Sequence, residues 1–178
     1  FPIYRASALN LFHRGADGLS LFNYDYVPTK SRLPMAAGLK GITDIERLKA
    51  WPKNYVVYPG FGTFRATNKK TVSVIIPDDT SKVAFKQALL RVETQNACTD
   101  LTIAAWLNGK PLQEAEHEGV ELFPPIAQNA GYATRDKVKF YTVPLDLLIP
   151  GKNSVKLQNL DAKKRSCRLF SIELALYR

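Results

Sequence analysis

The densest group of metal-ligating side chains in this sequence is the run from Gln113 to Glu118, which reads Gln-Glu-Ala-Glu-His-Glu. Its three carboxylates and one histidine could hold a Ca²⁺ ion, which prefers oxygen ligands. The alternative is an acidic loop that is simply solvated, as most are. We therefore expect neither a metal nor a cofactor. No serine lies in the Gly-x-Ser-x-Gly context of a hydrolase nucleophile.

Three other residues are candidates for carbohydrate contact: Trp106, Asn108 and Tyr132. An exposed aromatic ring can stack on the apolar face of a sugar, while a nearby amide binds hydroxyls. Trp106 alternates away from the apolar face of Ile103, with Asn108 beside it. Tyr132 lies in residues 113–136, the longest stretch without clear periodicity, and long loops are often functional. The alternative for either aromatic ring is packing in a core or between domains.

The formal net charge of +9 raises the question of a polyanionic partner. The basic residues are scattered, however, and the densest run is Lys163-Lys164-Arg165, in a predicted turn. No nucleic-acid-binding motif accompanies them, so we expect no nucleic-acid partner. A solvated basic surface is the simplest interpretation, and such a surface could also attract an acidic polysaccharide. No run of eighteen apolar residues exists, which excludes a transmembrane helix and predicts no membrane partner.

Cys98 and Cys167 are too few for a disulfide framework. They could pair across a sandwich, although buried or free thiols are the simpler interpretation. Neither lies in a Cys-x-x-Cys or Cys/His cluster, which argues against a metal site.

The helices and strands that must position these residues follow two different sequence patterns, one in residues 1–58 and another in residues 59–178. The first 58 residues predict a helix from Ile3 to Phe12, a buried strand from Leu19 to Asn23 and a helix from Gly38 to Trp51. Gly15 is placed to end the first helix in a left-handed turn. Thr43, with Glu46 three positions on, is the predicted N-cap of the second helix.

Residues 59–178 instead show the period of two that is typical of strands. Alternation predicts strands over Thr71–Ile76, Val83–Leu89, Leu101–Leu107, Val138–Tyr141, Val155–Leu157 and Phe170–Leu176. Asn108-Gly109 is a strong signal for a two-residue hairpin. The fold prediction is therefore mainly β: an antiparallel β-sandwich over 59–178, preceded by a helix-strand-helix segment over 1–58.

The run from Tyr4 to Gly18, YRASALNLFHRGADG, followed by LSLFNY from Leu19 to Tyr24, resembles the end of a (β/α)8 barrel in bacterial glycoside hydrolases and their uncharacterised relatives. In that family an alanine-rich helix leads through Gly-Ala-Asp-Gly into the final barrel strand, which ends on Phe-Asn. Residues 59–178 are similar to the sandwich, of jelly-roll or galactose-binding-like type, that often follows such barrels. Such sandwiches share a fold more than a ligand.

The first residues, FPIYRASALN, lack an initiator Met and the charge-then-apolar order of a signal peptide, so we expect Phe1 to begin a processed chain or a piece of something longer. The resemblance implies that the missing barrel portion of the parent is a partner. It favours a secreted or periplasmic parent. The two carboxylates that glycoside hydrolysis requires would lie upstream of Phe1. Asn23, Tyr24 and Asp25 would end the last barrel strand, where barrel active sites lie, and are carbohydrate-contact candidates. The resemblance gives this chain no catalytic residue of its own.

Three functions stay open at this point: a non-catalytic accessory domain of a glycoside hydrolase, a free-standing carbohydrate-binding module, and an intact enzyme of unfamiliar type. The first predicts exposed apolar surface on residues 1–58, the second a compact segment there, and the third turnover by this chain alone. An unpaired strand from Leu19 to Phe22 would also favour self-association through its open edge.

Overall fold

A computed structural model of the chain describes residues 2–19, 39–59, 63–65, 67–94, 97–98, 100–115 and 137–178. Within these ranges two antiparallel sheets enclose one core, and two helices precede them. The prediction of a mainly β, antiparallel sandwich is confirmed. No helix in the described ranges is long and apolar enough to span a membrane.

Helix α1 runs from Pro2 to His13, one residue beyond the predicted helix at each end. Gly15 ends it with a φ of +89°, as predicted. Helix α2 runs only from Ile45 to Ala50. Its N-cap is Asp44 and not Thr43, because the Asp44 carboxylate accepts a hydrogen bond from the Arg47 amide at 3.0 Å. The predicted strand from Leu19 to Asn23 lies, apart from Leu19, outside the described residues.

The strands form a larger and a smaller sheet, and every pairing is antiparallel. The larger sheet has the order β1-β10-β4-β8-β7, with β2 also paired to β10, and the smaller sheet has the order β3-β9-β5-β6. Their bounds are β1 Lys53–Val57, β2 Thr63–Phe64, β3 Lys69–Ile76, β4 Gln87–Thr94, β5 Ile103–Leu107, β6 Lys110–Pro111, β7 Gln113–Ala115, β8 Val138–Val143, β9 Gly151–Asn159 and β10 Cys167–Tyr177.

The hairpin at Asn108-Gly109 is confirmed, because both residues have the positive φ that a type I′ turn requires, 48° and 84°. One predicted strand is misplaced, and one strand has no counterpart in the prediction. The strand predicted at Val83–Leu89 lies later, at Gln87–Thr94. Strand β1 was not predicted at all, and it pairs with β10 ahead of residue 59. The division of the chain at 58/59 stays a prediction.

A register shift between Leu169 and Ser171 changes the predicted face of β10. Strict alternation predicts that Phe170 lies on the same face of the strand as Ile172, Leu174 and Leu176. The irregularity instead puts Leu169 into the core and leaves Phe170 partly exposed, because one extra residue reverses which side chains face inward.

The core contains inward-facing side chains from both sheets. Its central members are Val74, Ile76, Leu90, Val92, Ile103, Ala105, Leu107, Tyr141, Val143, Val155, Leu157, Ile172, Leu174 and Leu176. The Tyr141 hydroxyl crosses the core and donates to the Ile103 carbonyl oxygen at 2.6 Å, which satisfies its own buried polar group.

The two helices form a small layer that contacts β1. Ala6 of α1 joins the sandwich core, whereas Ala8, Leu9 and Leu48 make a second apolar cluster between the helices. The Arg5 guanidinium of α1 lies 4.4 Å from the ring centroid of Trp51, the residue that follows α2. This cation–π contact joins the two helices.

Lys53, fully buried at the start of β1, joins this layer to the sandwich. Its ammonium donates to the carbonyl oxygens of Leu48, Lys49 and Trp51 at 2.5, 3.0 and 2.9 Å, and thereby caps the carboxyl end of α2. The same ammonium lies 2.9 Å from the Asp78 carboxylate, which follows β3 of the other sheet. One cation therefore holds together a helix end, the larger sheet and the smaller sheet.

The tyrosine hydroxyl of Tyr55 donates a short hydrogen bond to the second oxygen of Asp78. Burial lowers the pKa of Lys53 and raises the pKa of Asp78, and the attraction between the two charges opposes both shifts. Because each charge is desolvated, each depends on the other for compensation.

We expect Lys53→Met to lower the free energy of unfolding by about 3–5 kcal/mol, because it leaves the Asp78 charge buried without its partner and the end of α2 uncapped. Urea denaturation followed by circular dichroism measures this. Lys49→Met is the matched control, because Lys49 is about half exposed and pairs with the exposed Glu46, and it should change stability by less than about 1 kcal/mol. Equal effects of the two substitutions would contradict the assignment.

Candidate functional site

Four of the six predicted contact residues, Asn23, Tyr24, Asp25 and Tyr132, lie outside the described residues. Their roles stay predictions. The same holds for the second half of the acidic run that begins at Gln113.

The described part of that acidic run is strand β7, and it belongs to the larger sheet. The Glu114 carboxylate accepts from the buried Lys139 ammonium at 2.6 Å. Glu114 therefore neutralises a buried lysine. In the described parts of the chain no group of three or more His, Cys, Asp or Glu side chains has the arrangement of a metal site.

Trp106 lies on the outer face of the smaller sheet. Along β5 the inward-facing residues Ile103, Ala105 and Leu107 are buried, while Ala104 and Trp106 are partly exposed. This alternation is the one that the sequence predicts. The residues that share this outer face, named here the basic face, are Lys69, Thr71, Ser73, Ile75, Ala104, Trp106, Lys152, Ser154, Lys156 and Gln158.

Lys156 is directly opposite Trp106 on the neighbouring strand β9. Its ammonium lies 4.0 Å from the centroid of the indole ring, within the range of a strong cation–π contact. Pro111 of β6 is opposite Trp106 on its other side. One face of the indole ring is therefore covered by a positive charge, and that face is not open for sugar stacking while Lys156 stays in place.

The Asn108 side chain forms hydrogen bonds that stabilise the turn after β5. Its amide nitrogen donates to the Leu147 carbonyl oxygen at 2.8 Å and to the Asn153 side-chain oxygen at 2.9 Å. Its side-chain oxygen accepts from the Ser154 amide at 2.8 Å. Both donors and one acceptor position of the Asn108 amide are used internally, which leaves one lone pair of its side-chain oxygen for a ligand. Sequence reasoning recognised its turn but could not assign these partners, because they are 39 to 46 residues away.

A pair of carboxylates that the sequence analysis missed lies in the larger sheet. Glu93 of β4 and Glu173 of β10 are each bound by the Arg91 guanidinium at 3.2 Å. The Ser171 hydroxyl lies between them, 2.9 Å from Glu173 and 3.4 Å from Glu93, and the Asn54 amide donates to Glu173 at 2.9 Å. Both carboxylate side chains are only 7% exposed, so a substrate has no direct access to them.

Cys98 and Cys167 are both buried, and they form no disulfide with each other. Burial raises the pKa of the Cys167 thiol to about 12, which keeps it protonated and unreactive at neutral pH. The simpler of the two interpretations, two thiols without a disulfide between them, matches this arrangement.

Comparisons with known proteins give structural similarity only. No protein-family model matches the chain, and no curated protein sequence matches it either. Among solved structures, a β-porphyranase of glycoside hydrolase family 86 from the human gut bacterium Bacteroides plebeius aligns with a TM-score of 0.46 and 15% identity, over 70% of this chain and 20% of that enzyme. BuGH86 in complex with neoagarooctaose aligns with TM-scores of 0.47 for a variant and 0.46 for the wild type.

Both BuGH86 structures are 12% identical to this chain and are covered over 19% of their length. The chain thus spans about a fifth of the length of the enzymes that it matches. Similarity at this level does not carry their activity or their ligand over to this chain.

We expect Asn108→Gly to lower the free energy of unfolding by about 1–3 kcal/mol, because it removes three internal hydrogen bonds but tolerates the positive φ. Asn108→Ala should cost about 1 kcal/mol more, because alanine is disfavoured in the left-handed region. Lys110→Ala, an exposed position in the same hairpin, is the control. Weakened glycan binding without any loss of stability would instead identify Asn108 as a ligand contact.

Proposed function

We propose that this chain is a non-catalytic C-terminal accessory domain of a glycoside hydrolase, which supports the catalytic barrel and contacts carbohydrate. The proposal rests first on the resemblance of the run from Tyr4 to Tyr24 to the end of a glycoside-hydrolase barrel. The observation from the structure that carries it is the outer surface of the helix layer.

Helix α1 has apolar residues on the side that faces away from the sandwich. Tyr4 and Leu11 are 37% and 46% exposed, and they lie on one face of the helix because they are seven residues apart. Ile45 of the adjacent helix is 41% exposed as well. The buried Ala8 and Leu9 point toward the second helix instead. Exposed apolar surface of this kind is typical of a site that another domain covers.

The carboxylates in the described strands suit a structural role. Glycoside hydrolysis uses one protonated carboxylic acid and one carboxylate beside an open sugar site. Glu93 and Glu173 are instead buried and bridged by Arg91, and Glu114 is bound to Lys139. Carboxylates that are held by basic side chains within the sheet are placed for packing and not beside an open sugar site.

The test compares this chain with the product of the whole reading frame that contains it. We expect the longer product to hydrolyse a polysaccharide, with agarose and porphyran as the first substrates to assay, and this chain alone to hydrolyse none. Turnover by this chain, or a reading frame with no barrel segment before Phe1, would overturn the proposal.

Leu11→Gln tests the docking surface separately. In the longer protein it should lower the free energy of unfolding by about 1.5–3 kcal/mol, the value of one buried leucine side chain. In this chain alone it should change stability by less than about 0.5 kcal/mol. Leu160→Gln is the matched control, because Leu160 is equally exposed, at 47% against 46%, but follows β9 of the sandwich. If both substitutions have the same effect in the longer protein, α1 is not the docking surface.

A free-standing carbohydrate-binding module is the second candidate, and the packing of Ala6 favours it. Ala6 lies in the sandwich core, so the helix layer is compact with the sandwich, as a self-sufficient module would require. This candidate predicts that the chain binds glycan and that Trp106→Ala weakens the binding. It also predicts that the whole reading frame encodes no barrel and that its product hydrolyses no polysaccharide.

A further inference from the structure

The two sheets differ in how their charges are compensated. The strands of the smaller sheet contain five lysines, Lys69, Lys70, Lys110, Lys152 and Lys156, and no aspartate or glutamate. Each of the three glutamates on the strands of the larger sheet, Glu93, Glu114 and Glu173, is bound to a basic side chain instead. The strands of the larger sheet thus contain four basic residues against three glutamates, whereas those of the smaller sheet contain five lysines against none.

Three of these lysines project from the basic face. Lys152 and Lys156 are on β9, four residues and thus about 13 Å apart along the strand, and Lys69 is opposite Gln158 on β3. No carboxylate in the described ranges forms an ion pair with any of the three. The spacing of the three lysines along the sheet suits an extended ligand that has several negative charges.

Trp106 fixes the position of the central lysine. The indole ring holds the Lys156 ammonium at 4.0 Å from its centroid. A held cation loses less side-chain entropy when it binds an anion than a free one does. A neutral sugar that stacked on the same ring face would first have to displace Lys156. The arrangement therefore favours an anionic ligand over a neutral one.

Uncharged side chains complete the face. Thr71 is opposite Lys156 on β3, and Ser154 and Gln158 are its neighbours on the same face of β9. Their hydroxyl and amide groups suit sugar hydroxyls, and the exposed Ser154 side chain is not used in any hydrogen bond with the described residues.

We propose that the basic face binds an anionic polysaccharide, whose sulfate or carboxylate groups contact Lys69, Lys152 and Lys156, with Trp106 as the positioning residue for Lys156. The inference rests on the carbohydrate contact of the proposed function and names its site and the charge of its ligand. It does not depend on the docking surface of α1.

Affinity electrophoresis of the whole chain tests the proposal, with a sulfated galactan, polygalacturonate and neutral agarose as separate probes. We expect retardation by at least one of the two charged polymers and none by agarose, and the polymer that retards the chain identifies sulfate or carboxylate as the bound group. Lys152→Gln/Lys156→Gln should weaken binding about tenfold. Lys86→Gln/Lys163→Gln removes the same charge from exposed positions off this face and should have a much smaller effect.

Trp106 variants separate positioning from stacking. Trp106→Phe keeps an aromatic face for Lys156 and should retain most of the binding, whereas Trp106→Ala should weaken it and make it more sensitive to salt. If the ring is a stacking platform, Lys156→Gln should instead uncover it and leave binding intact or improved, and that result would overturn the proposal.

The remaining outcomes distinguish this inference from the proposed function. Binding to agarose but to neither charged polymer would refute the anionic ligand while leaving carbohydrate contact standing. Binding to neither class would refute both the site and the contact, but not the support of a barrel. Equal losses for the two double-lysine variants, or equal affinity for duplex DNA, would mean general attraction to polyanions and would also overturn the proposal.

Discussion

The fold depends on one buried cation. Lys53 has no exposed surface, and its ammonium reaches three carbonyl oxygens at the end of α2 and the carboxylate of Asp78 at the end of β3. A lysine at this depth is stable only where its charge and all its donors are satisfied. The helix layer and the two sheets must therefore form together, because each supplies a group that the lysine needs. We therefore expect the helices to unfold together with the sandwich.

The rule that a buried charge needs a partner within the chain also explains how the two outer faces of the sandwich differ. On the larger sheet, Arg91 and its glutamates are nearly buried and compensate each other. On the smaller sheet the lysines are solvated, so they need no partner within the chain and can bind an external one. Among the described contacts of these lysines, Trp106 holds Lys156 in place. The difference in burial explains why one face is a structural network and the other is a candidate ligand surface.

The local sequence pattern was sufficient to predict most helices and strands, but it could not predict the side-chain contacts of the candidate site. Periodicity identified α1, most strands and the Asn108-Gly109 hairpin, because these depend on nearby residues. It misplaced the strand at Val83 and the face of Phe170, because neighbouring strands decide where pairing begins and where a register irregularity falls. It placed Trp106 outward, but the contact with Lys156 depends on the pairing of strands 50 residues apart in sequence. The jelly-roll or galactose-binding-like type of the sandwich stays a prediction.

Native-state hydrogen exchange followed by mass spectrometry tests the central claim, that the helix layer and the sandwich are one cooperative unit. The amides of α1 and α2 should open with nearly the same free energy as those of the central strand β10, because the loss of the Lys53 contacts disrupts both. Helix amides that exchange almost freely, while β10 stays protected at the global stability, would contradict the account.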